Sequence, residues 1–359
     1  MYFKTTSKML SADADVRADS NVHLDVSRTS DDNASKQPNV QSQKIRAALD
    51  DEEQDGYTIS EEDKDEVKID LFTRGALPHA LMPDMEAHAQ PIVLLRLSWI
   101  LDRAEQAASG ADIARFTWPH RKDLARDAIM PIEEFIAGCR EEPGEETARR
   151  HLMLVCHPWY TKDHPDPACD QLLELAECIN ALRRKYENLP PAESIGVIFD
   201  YSSLYQHQDG IRRTVEEKVC FKQGLRSMNW LFAHQFTIVV VLSSHPISLC
   251  HNPLPLFDRG WPYFEIMISH LLKTTEPTAT SSWPRIIYST APPQAQPIDC
   301  DNSDVLPYFA GTTISIDRAT FEARLGRRRF TNGRVDADIA AVLYERIRNI
   351  VSERRARVE

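Results

Sequence analysis

Phe236–Leu242 reads F-T-I-V-V-V-L, and from Ile238 onward it is continuously apolar and mostly β-branched. A strand with one face in water would alternate polar and apolar residues, so this run predicts a strand covered on both faces. Runs of the same kind are L-M-L-V-C (Leu152–Cys156) and S-I-G-V-I-F (Ser194–Phe199), with a shorter one at R-I-I-Y (Arg285–Tyr288). The segments between them space apolar residues as helices do. Asp170–Tyr186 puts Leu172, Leu175, Ala176, Ile179, Leu182 and Tyr186 on one face. The next helix opens with a capping-box pattern, T-V-E-E (Thr214–Glu217), and carries Phe221, Leu225, Met228 and Phe232 as its stripe. Alternating strand and helix predict an α/β domain over residues 150–352, a doubly wound parallel sheet flanked by helices. A helix over Asp336–Arg348, with Ile339, Val342, Leu343, Ile347 and Ile350 inward, is expected to close it.

Upstream the composition changes. Residues 1–70 are rich in Ser, Asp, Asn, Lys and Gln and end in D-D-E-E-Q-D-G-Y-T-I-S-E-E-D-K-D-E. Such a segment buries too little apolar surface to offset its ordering entropy, so a disordered acidic N-terminal tail is expected. From Pro91, P-I-V-L-L-R-L-S-W-I-L-D-R-A spaces Val93, Leu97, Ile100, Leu101 and Ala104 like a helix whose first turn suits proline. A second short helix is expected from Pro131. Residues 71–149 therefore read as a helical N-terminal extension packing on the domain.

Charge and cysteine usage narrow the function classes. Asp+Glu number 54 against Lys+Arg 42, a net charge of -12, so the chain has no general attraction for nucleic acid or anionic lipid. No run approaches the roughly 18 apolar residues of a membrane span, and the N-terminus lacks a leader's apolar stretch. The 7 cysteines are scattered without a C-x-x-C pair, which points to reduced thiols and to neither a zinc site nor a disulfide framework. A soluble cytoplasmic protein is expected, with no metal, no nucleic acid and no membrane partner.

In open parallel sheets ligands bind outside the carboxyl ends of the strands, so the residues after each run are the candidates. After the first run, C-H-P-W-Y-T-K-D-H-P-D-P supplies His157, Trp159, Lys162, Asp163 and Asp166. After the second, D-Y-S-S-L-Y-Q supplies Asp200, Ser202 and Gln206; after the third come Ser243, Ser244 and His245, then Arg259, Trp261 and Glu265. There is no G-x-G-x-x-G after the first strand, no P-loop, no G-x-S-x-G and no H-E-x-x-H. Lys162, Arg212 and Arg213 are expected to be solvated, with one of them as a phosphate contact the alternative.

The stretch D-R-G-W-P-Y-F-E-I-M-I-S-H-L-L-K (Asp258–Lys273) is helical in pattern, with Trp261, Phe264, Ile268, Leu271 and Leu272 on its apolar face. Glu265 falls on that face. Ionised carboxylates are rarely buried alone, so Glu265 is paired with a base such as Arg259, partly open to solvent, or kept for chemistry. A first-turn glutamate is also stabilised by the helix dipole.

The order of these elements resembles the TIR domain, and most closely the divergent TIR-like proteins of protists and bacteria. The matching residues are His157 and Trp159, His164 to Pro167, Asp200 with Leu204 and Gln206, and the R-G-W-x-x-x-E of Arg259, Gly260, Trp261 and Glu265. The element F-T-N-G-R-V-D (Phe330–Asp336) fits the same group, so the resemblance covers roughly 150 to 350. Pro158 and Pro262 depart from the family's arginine and cysteine; Pro262 suits the first turn of a helix, whereas Pro158 removes a cation.

The resemblance implies a TIR/flavodoxin-like fold and cleavage of NAD, or a related nucleotide, at the N-glycosidic bond, in stress or immune-type signalling. Glu265 then stands at the catalytic position, and His157, Trp159, Lys162, Asp200, Ser202, Ser243, Ser244, Arg259 and Trp261 are the expected substrate-binding residues. NAD is a substrate in this reading, no cofactor is implied, and self-association through the TIR-like domain is expected. Two other readings remain: a non-catalytic TIR-like interaction module, and a nucleoside N-glycosyl transferase, which uses a similar sheet and a glutamate.

Overall fold

The strands lie where the apolar runs place them, and two more join from upstream. Leu94–Arg96 (β1), Ile129–Met130 (β2), His151–Cys156 (β3), Ile195–Ile198 (β4), Ile238–Val241 (β5) and Ile286–Tyr288 (β6) form a six-stranded sheet in the order β2-β1-β4-β3-β5-β6. β4, β3, β5 and β6 run parallel, while β1 is antiparallel to both β4 and β2. The structure is a computed structural model that describes residues 69–82, 90–110, 113–139, 149–206, 212–244, 254–278, 281–290, 313, 315–331 and 333–358. These residues fall within one unit of the chain, Gly56–Glu359. The expected acidic tail lies outside them, apart from Ile69 and Asp70.

The helices are Leu77–Leu81 (α1), Leu97–Ala108 (α2), Ile132–Ala137 (α3), Asp170–Lys185 (α4), Asp200–Ser203 (α5), Val215–Ala233 (α6), Gly260–His270 (α7), Arg318–Leu325 (α8) and Arg334–Val358 (α9). Successive strand residues go to opposite faces, as the pleat requires. Leu152, Leu154, Val239 and Val241 pack with α1, α3, α6, α7, α8 and α9, whereas Met153, Val155, Ile238 and Val240 pack with α2 and α4. This two-sided cover is why the runs lack polar alternation. At the start of α6 the capping box forms: the Thr214 hydroxyl accepts from the Glu217 N–H at 3.2 Å, and the Glu217 carboxylate accepts from the Thr214 N–H at 2.9 Å.

Two expectations need correction. Residues 71–149 are not a helical extension laid on the sheet, because β1 and β2 are part of the sheet itself. Val93 is expected in the helical stripe, but the helix starts only at Leu97; the backbone before it pairs with β4, and the Val93 N–H donates to Ser203 O. Gly196 makes room for this: a Cβ there would sit 3.2 Å from both Leu94 Cδ1 and Met130 Sδ. Within the extension Arg96 ties β1 to α3 through a two-pronged pair with Glu134, at 3.0 and 2.6 Å. In α9, Ile339, Leu343 and Ile347 are buried as expected, but Val342 is 42% exposed, because the helix presents it away from α7 and α8.

Candidate functional site

From β3 the chain steps to β4 on one side, then returns to β5 on the other side of β3. The intervening helices α4 and α6 leave on opposite faces. A reversal of this kind opens a crevice at the carboxyl ends of β3 and β5, so Cys156, His157 and Trp159 on one side and Ser243 and Ser244 on the other flank it.

One rim is a polar network around Asp200, the first residue of α5. Its Oδ1 bonds His157 Nε2 at 2.9 Å and accepts the Tyr201 N–H at 2.5 Å, and its Oδ2 accepts Trp159 Nε1–H at 2.9 Å. Burial by itself would raise this carboxyl, but the His157 ring beside it, together with the bonds from His157, Trp159 and Tyr201, outweighs burial and holds it below the ordinary carboxylate range. His157 is buried and stacks on Phe199 at 4.1 Å, while the Trp159 indole meets Tyr201 edge-on at 5.8 Å. Asp200 therefore sets the direction of two site side chains.

Glu265 lies on α7, half-buried, on the side facing β3. Burial pushes its carboxyl from the ordinary range up to about 8; a hydrogen bond with the Cys156 thiol works against that shift, and the Asp200 charge adds to it. The thiol is fully enclosed and raised well above its usual value, by burial first and then by Glu265, so it serves as a donor. Its Sγ also lies 3.8 Å from Pro262 O in the first turn of the helix. Two carboxyls thus share one sheet edge with opposite shifts, one kept charged and one kept neutral.

The remaining expected residues divide. Arg259 ties the lead of α7 to the His157 loop: its Nη1 donates to Trp159 O at 2.7 Å and its Nε to Leu254 O at 2.9 Å. Trp261 turns to the C-terminal helix, donating Nε1–H to Asp336 at 3.2 Å and packing edge-on against Phe264 and Phe330. The ring of Phe330 fills the place a side chain would need at Gly260, 2.2 Å from an ideal Cβ. Ser202 is fully buried and donates to Pro119 O. Ser243 bonds Thr290 at 2.5 Å, and the Ser244 N–H donates to Glu174 at 3.1 Å. Lys162 is exposed, and the Arg213 guanidinium lies over the Phe221 ring at 3.9 Å.

Sequence reasoning gave no role to Cys156 or Glu174, and it counted Asp166 only as a loop residue. Asp166 is fully buried; burial raises its carboxyl to about 6 against the N–H groups of Leu172 and Gln171. With His164 it shapes the H-P-D-P turn, where the Asp166 N–H donates to His164 Nδ1 at 3.0 Å and the Leu172 N–H donates to Asp166 Oδ2 at 3.0 Å. The signal for Glu174 was weak, because its partners, Ser244 and Ser289, come from two other loops. Among the described residues no group of three or more His, Cys, Asp or Glu gathers as a metal site, and no helix is long and apolar enough to cross a membrane. No family model, curated protein or solved structure matches the chain.

Proposed function

We propose that this chain is a TIR-like N-glycosyl hydrolase that cleaves NAD, or a related nucleotide, with Glu265 as its catalytic carboxylate. The observation that carries the reading is the Glu265 carboxyl: desolvated, beside the Cys156 thiol, and set by the crevice where the strand order reverses. The order β4-β3-β5-β6, which is 2-1-3-4 when the parallel strands are counted along the chain, supports a flavodoxin-like arrangement with its ligand at that crevice.

A neutral carboxyl in a poorly solvated site is poised to receive positive charge. A cationic nicotinamide riboside placed against it favours the carboxylate, so Glu265 sheds its proton on binding. As the glycosidic bond breaks, its electron pair leaves with neutral nicotinamide, and the oxocarbenium-like ribose faces the glutamate. Water adds at the anomeric carbon and loses a proton to solvent. The nicotinamide is already cationic in NAD, so no acid is needed for the leaving group. Trp159, half-buried at the rim, offers an aromatic face to a base or nicotinamide.

The test is nicotinamide release from NAD by the full chain and by Glu265→Ala, dilute and concentrated. We expect the alanine chain to be slower by on the order of 10²–10³. Absence of turnover by either chain at any concentration rejects the enzyme reading, and equal turnover by both removes Glu265. A non-catalytic interaction module is favoured by one observation: Asp200 and Arg259 spend their bonds on the protein itself. It predicts self-association without release. Release of a base from nucleosides, with NAD untouched, would instead mark an N-glycosyl transferase.

A further inference from the structure

The segment W-P-H-R, Trp118–Arg121, comes from the N-terminal extension, yet it bonds to both loops that carry the His157–Asp200 network. Toward the loop after β3, Trp118 Nε1–H donates to Asp166 Oδ2 at 3.2 Å, and Trp118 O bonds His164 Nε2 at 3.0 Å. Toward the loop after β4, Pro119 O accepts the Ser202 hydroxyl at 2.6 Å, His120 Nε2 bonds Gln206 O at 3.1 Å, and Arg121 Nη1 donates to Ser203 O at 3.0 Å. The Trp118 ring, 1% exposed, stacks on Phe199 at 3.9 Å and 6°, and the other side of Phe199 carries His157 at 4.1 Å and 14°. Trp118, Phe199 and His157 form one continuous stack that ends on Asp200.

We propose that Trp118–Arg121 is a positioning clamp for the candidate site, with Trp118 holding His157, through Phe199, in line with Asp200. The extension is then a working part of the site and not a cover for one sheet face. A purely space-filling segment would need apolar contact alone, whereas this one bonds five separate groups on two loops. The loop after β4 has only a short helix of its own, the four residues Asp200–Ser203. The catalytic consequence rests on the proposed function; the mechanical link does not.

The experiment uses the full chain with isotope-labelled histidine, comparing wild type, Trp118→Leu and Trp118→Phe. It reads the His157 ring signals and, separately, nicotinamide release. In Trp118→Leu the stacked partner of Phe199 is lost, so the His157 ring signals are expected to move. kcat is expected to fall about tenfold or more, with KM changed less than about threefold, as for a misplaced reacting group. Trp118→Phe keeps a ring on Phe199 but loses the bond to Asp166; a smaller movement in the same direction and near-normal turnover are expected. Unmoved His157 signals in a folded Trp118→Leu chain overturn the proposal. Should that chain not fold, Trp118→Phe decides: moved signals support the clamp and unmoved ones overturn it. Moved signals in a wild-type background that never releases nicotinamide uphold the clamp and reject the hydrolase.

Discussion

The middle of α7 and the residue just past its C-terminus hold ionisable side chains in opposite ways. Just beyond its C-terminus, Lys273 is 2% exposed, and its Nζ donates to Phe232 O, to His234 O at 3.2 Å and to Thr237 Oγ1 at 2.9 Å. All three ammonium protons have an oxygen, even though burial, and then Arg285, pull this lysine well below its ordinary range. In the middle of the helix Glu265 has the Cys156 thiol and a second carboxylate, Asp200, as neighbours. The Lys273 donors each meet an oxygen, as a buried cation that serves the fold requires, whereas under the proposed function Glu265 awaits a cationic ligand. Lys273 closes off the C-terminus of α6, where the carbonyls of Phe232 and His234 need donors.

The contrast can be broken from its structural end first. Lys273→Met leaves those oxygens without their donor, and a stability loss of about 3 kcal/mol is expected in urea unfolding. A midpoint equal to wild type would show that the ammonium is not structural. At the other end Glu265→Gln is expected to hold or raise stability while removing turnover. The folded carboxyl near 8 lies above the 4.5 of the free side chain, so its contribution to the folded state is full below 4.5 and lost as pH rises toward 8. Unfolding measured at pH 5 and pH 9 should show wild type losing on the order of 2 kcal/mol more than Glu265→Gln across that span. Parallel pH curves for the two chains would mean that Glu265 ionises normally. The smallest effect belongs to ordinary helix chemistry away from both ends: Thr214→Ala, which removes the capping box of α6, is expected to cost about 1 kcal/mol. A larger loss than at Lys273 would reverse the comparison.

The parallel strands were legible because burial on both faces leaves a sequence mark, and V-V-V in β5 can hardly be anything else. β1 was not, since V-L-L-R-L-S-W-I-L fits a helix and a buried strand equally until a partner is known, and its partners lie about thirty and a hundred residues away. Within the candidate site, Glu265 stood out as a carboxylate on an apolar stripe, and His157, Trp159 and Asp200 as strand-end residues that the fold does bring together. Trp118 left no signal of function: a tryptophan before proline in an irregular stretch looks like any core residue. Its meaning comes from the stack it completes.

The short strand pair β2-β1 has one more consequence. Without it β4 would expose an unpaired ladder of peptide groups, the kind of edge onto which a foreign chain can add and aggregate. With β1 seated in the notch that Gly196 leaves, the last strand on that side among the described residues is Ile129–Met130, too little ladder to hold an added strand. Among the described residues that edge therefore offers an approaching chain side chains and almost no backbone.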